Sequence, residues 1–333
     1  MPKPPDSSTD SYSSDLPDGL PAEAEAVEDE PSPPARPICR SGHIALVGRP
    51  NVGKSTLLNA LLGQKISIVT HKAQTTRQRV IGIKQVDDAQ LIFVDTPGIH
   101  KHHKHALNRH MNRAATTILP DVDIVLWLLD SNKWTPEDEA VLEHLKGLKA
   151  PIGLLINKVD QLKNKDQLLP LLQRRSAELD FAFAIPVSAT KGSNLAALEQ
   201  ELVKLLPEAP AMYPQDQITD ISSRFLAAEL IREKLLNVLQ QEIPYGIAVE
   251  IERFEYNDEG ILEINGLIWV NRQSHKSIVI GKGGAQRKTV GRAARLDMNT
   301  QFDCRVHLEM WVKVKTDWAD DERSIRSLGL AAE

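Results

Sequence analysis

The chain has 333 residues and a formal net charge of −5. At roughly 100 to 200 residues per domain, that length has room for two globular domains. Cys39 and Cys304 are the only cysteines, which argues against a disulfide framework and against a cysteine-based metal site. No stretch reaches about 18 uninterrupted apolar residues, the length of a membrane-spanning helix. We therefore expect a protein of the reducing cytoplasm.

Residues 1–40 differ from the remainder in composition, since they are rich in proline, serine and acidic residues. They contain no periodic apolar pattern that could bury a core, so we predict a disordered acidic tail. The tail lacks the basic and apolar regions of a signal peptide, and its acidity argues against an organelle transit peptide. Because residues 1–37 carry nine acids and two bases, the rest of the chain is mildly basic.

The segment GRPNVGKS, residues 48–55, lies between a predicted buried strand and a predicted helix. It matches the phosphate-loop pattern, in which glycines let consecutive N–H groups point inward and the helix N-terminus adds its positive dipole end. Lys54 can reach the β- and γ-phosphates and serves catalysis, while the Ser55 hydroxyl can bind Mg²⁺. The predicted phosphate contacts are Gly48, Arg49, Pro50, Asn51, Val52, Gly53, Lys54, Ser55 and Thr56, with Gly98 from a later strand end.

The segment LIFVDTPG, residues 91–98, is an apolar strand followed by polar residues that suit a metal-bound phosphate. Asp95 can hold Mg²⁺ through water, and the Gly98 N–H can meet the γ-phosphate. Residues 70–82 occupy the position of a first switch, where Thr75 or Thr76 could bind Mg²⁺ while the γ-phosphate is present. We choose Thr76, so the predicted magnesium ligands are Ser55, Thr76 and Asp95.

Two further strand ends carry residues that suit a guanine base. NKVD, residues 157–160, provides Asn157, Lys158 and Asp160, and a carboxylate here can accept hydrogen bonds from both N1–H and the 2-amino group of guanine. Adenine has no such donor pair, so the segment favours GTP over ATP. SATKG, residues 188–192, adds Ser188 and Ala189, where a backbone N–H can donate to guanine O6.

Apolar strands alternate with helices through this region, which predicts an α/β domain with a mostly parallel sheet covered on both faces. Nucleotide would bind at the carboxyl ends of the strands. The predicted strands lie at about 43–48, 80–86, 90–95, 123–130, 152–157 and 184–187.

Ile99 follows DTPG, at the position where Ras-type GTPases use a glutamine to orient the attacking water. Isoleucine cannot do this, so another group must position the water. Our hypothesis is that Asn51 binds a monovalent cation, with potassium as the candidate, which stabilises the developing charge. Residues 98–113 also hold five of the ten histidines. Four of them are the candidates for a transition-metal site: His100, His102, His103 and His105. No carboxylate or cysteine orients these imidazoles for a metal, so we interpret this second switch as contacting phosphate, RNA or solvent.

The C-terminal part reads as one helix, two strands, two helices and a last strand, which is the order of an α+β type II KH fold. The first helix is predicted from the apolar spacing of Ala228, Ile231, Leu235, Val238 and Leu239, with Ser222 as its cap. Residues 271–316 carry ten Lys or Arg against three acids. That local excess favours a polyanionic partner.

The second glycine run, GKGG at residues 281–284, lies between the last two predicted helices. Its glycines let two helix ends approach closely, so that backbone N–H groups can meet the sugar-phosphate path of single-stranded RNA. We expect bases to lie against Ile278, Val279 and Ile280. The predicted RNA contacts are Gly281, Lys282, Gly283, Gly284, Arg287 and Lys288, of which the charged members give salt-sensitive binding.

Taken together, GRPNVGKS, KAQTTR, DTPG, NKVD and SATKG, with GKGG in a basic C-terminal domain, resemble the Era family of bacterial GTPases. The resemblance covers roughly residues 41–318. It implies a Ras-like P-loop GTPase domain joined to a KH domain, and assistance in maturing the small ribosomal subunit by recognising the end region of its RNA. The implied ligands and partners are Mg²⁺, GTP or GDP, small-subunit rRNA and the 30S subunit. We expect a monomer, with peripheral contact to the cytoplasmic membrane face left open.

The predicted organisation is an acidic tail at 1–40, a GTPase domain at 41–208, a linker at 209–220, a KH domain at 221–318 and a C-terminal tail at 319–333. Our preferred interpretation is a GTP-hydrolysing switch that binds small-subunit rRNA near its 3′ end under control of the nucleotide state. One alternative is a GTPase that regulates a protein or membrane partner without RNA. Another is a passive RNA-binding module whose nucleotide domain only stiffens the fold.

Overall fold

The computed structural model describes residues 37–72, 75–98, 106–240, 243–328 and 330. Within these ranges the chain forms a six-stranded sheet followed by a three-stranded sheet, each with its own hydrophobic core. The predicted acidic tail lies outside the described residues except for its last four positions.

The first sheet has the strand order β2-β3-β1-β4-β5-β6. Every neighbouring pair is parallel except β2 and β3, which form an antiparallel hairpin. The mostly parallel sheet that the sequence predicts is therefore confirmed. Its strands are β1 (Arg40–Val47), β2 (Val80–Val86), β3 (Ala89–Asp95), β4 (Ile124–Asp130), β5 (Ile152–Asn157) and β6 (Phe183–Pro186).

Helices cover both faces of this sheet, because its central strands are apolar along their whole length and must be buried on both sides. One face packs against α1 and α5, and the opposite face packs against α3 and α4. The helices are α1 (Lys54–Leu62), α2 (Ala106–Thr117), α3 (Pro136–Leu145), α4 (Leu168–Ser176) and α5 (Leu195–Leu205).

The second sheet has the order β7-β8-β9, with β7 and β8 antiparallel and β8 and β9 parallel. Three helices pack against it, and the element order confirms the predicted type II KH fold. These elements are α6 (Ser223–Val238), β7 (Ile247–Tyr256), β8 (Leu262–Val270), α7 (Gln273–Ile280), α8 (Ala285–Gln301) and β9 (Val306–Val314).

Helix α6 begins as predicted, since the Ser222 hydroxyl accepts a hydrogen bond from the Phe225 N–H at 3.1 Å. Its buried face differs slightly from the predicted one, because Leu226, Leu230 and other residues one turn earlier line the core. Val238, predicted to face inward, is 39 % exposed in the last turn of the helix. The next residue, Leu239, is buried in the same core as predicted, so the difference is confined to Val238.

The predicted linker, residues 209–220, follows the edge of the first sheet. The buried Gln90 side chain donates from Nε2 to Tyr213 O at 2.8 Å, and its Oε1 accepts from the Met212 N–H. Further along, the Ile83 N–H donates to Ile218 O at 2.7 Å. The bond at Ile83 satisfies an N–H on the open edge of β2, and together with the two at Gln90 it fixes the path of the chain into the second domain.

Part of the predicted C-terminal tail is folded, with α9 at Glu322–Ser327. Trp318, Ala319 and Ile325 are buried with residues of α2 in one apolar cluster. The first N–H groups of α2 are satisfied from this segment, because Ala106 N donates to Asp320 Oδ1 and Leu107 N to Ala319 O, each at 3.1 Å. Within the described ranges, no helix combines the length and the apolar character needed to cross a bilayer.

Candidate functional site

The phosphate loop connects β1 to α1 and closes tightly around its own backbone. Gly53 has a φ of 103°, in the left-handed region that favours glycine. A Cβ at this position would lie 2.3 Å from Nδ2 of Asn157, so the loop needs glycine for space as well as for conformation. The α1 N-terminus follows directly and directs its first N–H groups into the loop.

Lys54 is buried at the start of α1, with its Nζ donating to Gly48 O at 2.9 Å and to Arg49 O at 3.2 Å. Burial lowers the pKa of its ammonium from 10.5 to about 8, although the nearby Asp95 carboxylate opposes the shift. A cation held only by loop carbonyls would gain much from an anionic partner. The geometry therefore fits a lysine that turns from the loop carbonyls to phosphate oxygens.

The three predicted magnesium ligands lie together. The Ser55 hydroxyl donates to Asp95 Oδ2 at 2.6 Å, and the Thr76 hydroxyl lies 2.9 Å from Ser55 Oγ and 3.3 Å from Asp95 Oδ2. Asp95 Oδ1 is buried and has no hydrogen-bond partner among the described residues. Burial raises the pKa of the Asp95 carboxyl. An all-oxygen set with one unpaired carboxylate oxygen fits Mg²⁺, which prefers oxygen ligands.

A cavity lies between the phosphate loop and the first switch. Its walls come from three segments that are distant in the sequence, so folding brings together the residues that the motifs predicted separately. The lining includes Asn51, Gly53, Lys54, Ser55, Thr56, Thr75, Thr76 and Gly98.

Asn157 and Lys158 support the phosphate loop from β5. Asn157 donates from Nδ2 to Val52 O at 2.8 Å, and Lys158 donates from Nζ to Asn51 O at 2.6 Å. Lys158 has a φ of 64°, a left-handed conformation that turns its side chain toward the loop. These two residues therefore connect the predicted guanine segment to the phosphate segment through side chain to main chain hydrogen bonds.

The predicted guanine contacts converge at the ends of β5 and β6. Asp160 is exposed, and its Oδ1 accepts the Ser188 hydroxyl at 2.5 Å, which orients the carboxylate. The Ser188 N–H donates to Ser193 O, and the Ala189 N–H donates to Asn157 Oδ1. Both amides thus have acceptors within the protein, so contact with guanine O6 requires a shared hydrogen bond and stays a prediction.

Arg49 stays a predicted phosphate contact through its main-chain N–H only, because its side chain does not line the phosphate cavity and donates from Nη1 to Pro50 O at 3.2 Å. The guanidinium is buried and donates from Nε to Asp138 Oδ2 at 3.0 Å, with Asp130 at 3.6 Å from Nη2. Asp138 also belongs to the capping box of α3. The Arg49 side chain therefore ties the loop to α3 and is directed away from the phosphates.

Asn51, the residue of the monovalent-cation hypothesis, contacts the first switch. Asn51 has a φ of 65° and donates from Nδ2 to His71 O of the first switch at 3.0 Å. Ile99 and the histidines between residues 99 and 105 lie outside the described residues, so their predicted roles stay predictions. Elsewhere in the described chain, no cluster of three or more His, Cys, Asp or Glu side chains is placed to hold a metal ion.

The second glycine loop is open to solvent. Gly281, Gly283 and Gly284 have φ values of 73°, 59° and 79°, which explains the run of glycines. At Gly283 and Gly284, no described atom lies within 4 Å of a built Cβ. Lys282 is exposed at the tip. The loop can therefore approach a backbone closely without steric interference from its own domain.

The predicted position of the bases needs one correction. Val279 lies in the core of the second domain, because α7 packs this side chain against the sheet. Its neighbour Ile278 is 45 % exposed. Val279 therefore cannot contact a base, and only the outer side of α7 is accessible.

A groove lies between α8 and β9, next to the second loop. Arg287 and Lys288, predicted from the sequence, line it. Arg292 and Arg295 were missed, although their spacing from Lys288 places all three on one helix face. Arg287 also donates from Nη1 to Met310 O at 3.2 Å and so joins the helix to the strand. The other lining residues are Gly291, Leu308, Glu309, Met310 and Trp311.

Comparison with known proteins covers both domains. A family model described as a 50S ribosome-binding GTPase matches residues 43–158, and a KH domain model matches residues 242–319. GTPase Era of Haemophilus influenzae (strain PittGG) is 53 % identical over 292 residues, which cover 88 % of this chain and 97 % of that protein. GTPase Era of Actinobacillus pleuropneumoniae serotype 5b (strain L20) is 52 % identical over 298 residues, covering 90 % and 98 %.

Two crystal structures are similar along most of the chain. One is Era in complex with MgGDPNP and nucleotides 1506–1542 of 16S ribosomal RNA, with a TM-score of 0.85, 40 % identity and coverage of 88 % of this chain and 100 % of that chain. The other is a substituted Era of Aquifex aeolicus bound to GDP and AlF4⁻, with the same values. The similarity therefore extends through both domains.

Proposed function

The chain belongs to the Era family of GTPases, and from that membership we propose that it binds small-subunit rRNA near the 3′ end under control of its nucleotide. As a member of this family, it is an RNA-binding, GTP-hydrolysing protein of ribosome assembly. The proposal assigns separate tasks to the two glycine loops. The first holds GTP, and the second holds the RNA backbone.

At the first loop, Mg²⁺ supplies positive charge against the charge that develops on the transferred phosphoryl group. Ser55 and Thr76 would hold it directly, and Asp95 would hold it through water, since the three are adjacent and offer only oxygen atoms. Lys54 donates to the phosphate oxygens in place of its loop carbonyls. The buried setting strengthens each of these interactions because water is excluded.

At the second loop, the observation that carries the proposal is the groove between α8 and β9. It places four arginine or lysine side chains along one wall and apolar side chains of β9 along the other. Basic groups suit a phosphate path, and apolar or aromatic surfaces suit unstacked bases. A structure of Era holding 16S ribosomal RNA nucleotides is similar to this chain over both domains, which supports the same partner here.

The test compares one RNA in two nucleotide states. The full chain, loaded with GDP or with a non-hydrolysable GTP analogue, is titrated with an oligonucleotide from the 3′ end of 16S rRNA. We expect tighter binding with the GTP analogue. The ratio of the two affinities should fall in the range of about 5- to 150-fold that is typical of coupled sites. Equal affinity in both states would contradict nucleotide control. Absence of RNA binding in either state would favour the alternative of a GTPase with a protein or membrane partner.

We further propose that potassium assists hydrolysis through Asn51. Asn51 Nδ2 donates to His71 O, which places this side chain between the phosphate loop and the first switch, and its amide oxygen is the atom that would bind the cation. Turnover should be higher in potassium than in sodium at equal ionic strength, and Asn51→Ala should remove the difference. Equal turnover of the unsubstituted protein in both salts would rule the cation out.

Location and oligomeric state are proposals as well. We propose a cytoplasmic monomer that contacts the inner membrane face only peripherally. Sedimentation velocity of the purified chain should give a single species with the mass of one copy. Cell fractionation at low and high salt should release any membrane-bound fraction with salt, whereas a fraction that resists salt would contradict a peripheral contact.

A further inference from the structure

Thr76, a proposed magnesium ligand, follows Thr75, whose main chain is hydrogen-bonded to the second domain. The Thr75 carbonyl oxygen accepts a hydrogen bond from Nη2 of Arg232, on α6 of the KH domain. Arg232 is only 2 % exposed, and its Nε donates to Glu229 Oε1 at 2.6 Å. Because a guanidinium presents its donors in a fixed plane, the pairing with Glu229 sets the direction in which Arg232 meets Thr75.

Thr76 is also followed by Arg77, whose side chain reaches carbonyl groups of the second domain. Arg77 is 4 % exposed and donates from Nη1 to Ile247 O at 2.5 Å. Its Nη2 donates to Pro244 O and Tyr245 O, each at 3.2 Å. These carbonyls belong to the turn before β7 and to the first residue of that strand. A buried cation without these acceptors would be costly, so the contact holds Arg77 firmly in the KH domain.

The segment just before the first switch is held by the same helix. The Val69 N–H donates to Glu233 Oε1 at 3.0 Å, and Lys65 Nζ lies 2.7 Å from Glu233 Oε2. Glu233 is buried and adjacent to Arg232 on α6. Helix α6 therefore contacts the main chain at Val69, just before the first switch, and at Thr75 within it, through two consecutive side chains.

From these contacts we infer that Arg232 and Arg77 are positioning residues for GTP hydrolysis, through which the KH domain fixes the peptide on either side of Thr76. Neither side chain lines the phosphate cavity. They act through the main chain, which keeps the Thr76 hydroxyl beside Ser55 and Asp95. The inference rests on the proposed magnesium ligands and adds a direction of control, from the KH domain to the metal site.

The test measures GTP hydrolysis by the full chain against Mg²⁺ concentration at saturating GTP. Arg232→Gln removes the hydrogen bond that a KH-domain side chain donates to Thr75 O. Arg77→Met removes the hydrogen bonds that a GTPase-domain side chain donates to carbonyls of the KH domain. Each should raise the Mg²⁺ concentration for half-maximal turnover at least about tenfold, because a hydrogen bond from a charged group is worth about 1.5 to 3 kcal/mol. Arg232→Gln loses one such bond between the domains, and Arg77→Met loses three. GDP affinity without Mg²⁺ should not change. Arg77→Lys keeps three N–H donors and should restore most of the Mg²⁺ response.

Arg224→Gln is the matched control, because Arg224 is also on α6 but donates to Ile251 O within its own domain. It should leave the Mg²⁺ response unchanged. If Arg232→Gln fails to fold, Arg77→Met decides the question from the other domain. An unchanged Mg²⁺ response in Arg77→Met, together with a raised requirement in Thr76→Ala, would overturn the inference alone. An unchanged response in Thr76→Ala would overturn the proposed ligands and the inference with them.

Discussion

The two glycine loops use the same residue type for different physical reasons. At Gly53, a Cβ would meet Asn157 Nδ2 at 2.3 Å, whereas at Gly283 no described atom lies within 4 Å. Gly53 makes room for surrounding protein, whereas Gly283 and Gly284, at the tip of the second loop, only permit the backbone conformation. A compact polyphosphate can be enclosed by fixed N–H groups, but a polymer that continues in both directions needs an open surface.

The largest effect that would sharpen this comparison is expected from Gly53→Ala. Overpacking costs about 1 to 3 kcal/mol, and at the upper end this is roughly 100-fold in GTP and GDP affinity. Gly63→Ala is the control, since Gly63 has a φ of 68° at the end of α1 and no described neighbour within 4 Å of a built Cβ. It should lose about 1 kcal/mol of stability and keep its nucleotide affinity. Equal nucleotide affinity in the two variants would break the comparison.

The second effect is expected at the open loop. Gly283→Asp should weaken RNA binding about tenfold, because the new carboxylate faces the phosphate path. Gly283→Asn has nearly the same shape, and both residues tolerate the left-handed conformation better than most. Titration of both variants with the same RNA separates charge from shape. A loss in Gly283→Asn as large as in Gly283→Asp would mean that space, and not charge, limits this loop.

A smaller effect should appear when pH is varied at the enclosed loop. With a pKa of about 8, Lys54 must take up a proton to bind phosphate above that pH, so GDP affinity should fall by up to about tenfold per unit. The folding effect has the opposite sign, since unfolded lysine keeps its proton up to about 10.5 and Lys54 then adds stability as pH rises between about 8 and 10.5. Calorimetry in two buffers at pH 8.5 measures the proton uptake, and its absence would contradict the shift.

The smallest effect concerns the basic groove. Arg295→Gln should reduce the slope of log RNA affinity against log salt by about one, as for the loss of one phosphate contact. Arg253→Gln is the control, because Arg253 lies on β7 and pairs with Glu255 and Glu263. Its salt slope should equal that of the unsubstituted protein. If both variants lower the slope alike, the groove has no special role.

Much of the nucleotide site could be predicted because its parts are local patterns at strand ends. Each part is a short motif that directly follows one strand: GKS in the phosphate loop, Asp95 in DTPG, and NKVD. Parallel strands bring these motifs to the same edge of the sheet. The direction of the Arg49 side chain could not be predicted, because a motif does not say which side chains turn away from the ligand. Its partner Asp138 lies 89 positions later, on α3.

The contacts between the domains could not be predicted from patterns. Arg77 and Arg232 look like ordinary basic residues in the sequence, and only folding shows that each meets a backbone carbonyl of the other domain. The same holds for the groove, where a helix face and an edge strand become neighbours. Val279 shows the converse, since an apolar residue next to the loop was assigned to RNA but belongs to the core.

The N–H groups at the start of α2 are satisfied by Ala319 and Asp320, which the ribosome adds long after Ala106. During synthesis, the earlier sheet can fold while this helix still lacks its cap, because domains generally fold in the order in which they emerge. Helix α2 therefore receives these two acceptors only when translation has passed the KH domain. A partly made chain that already encloses a nucleotide would do so before the start of α2 is capped.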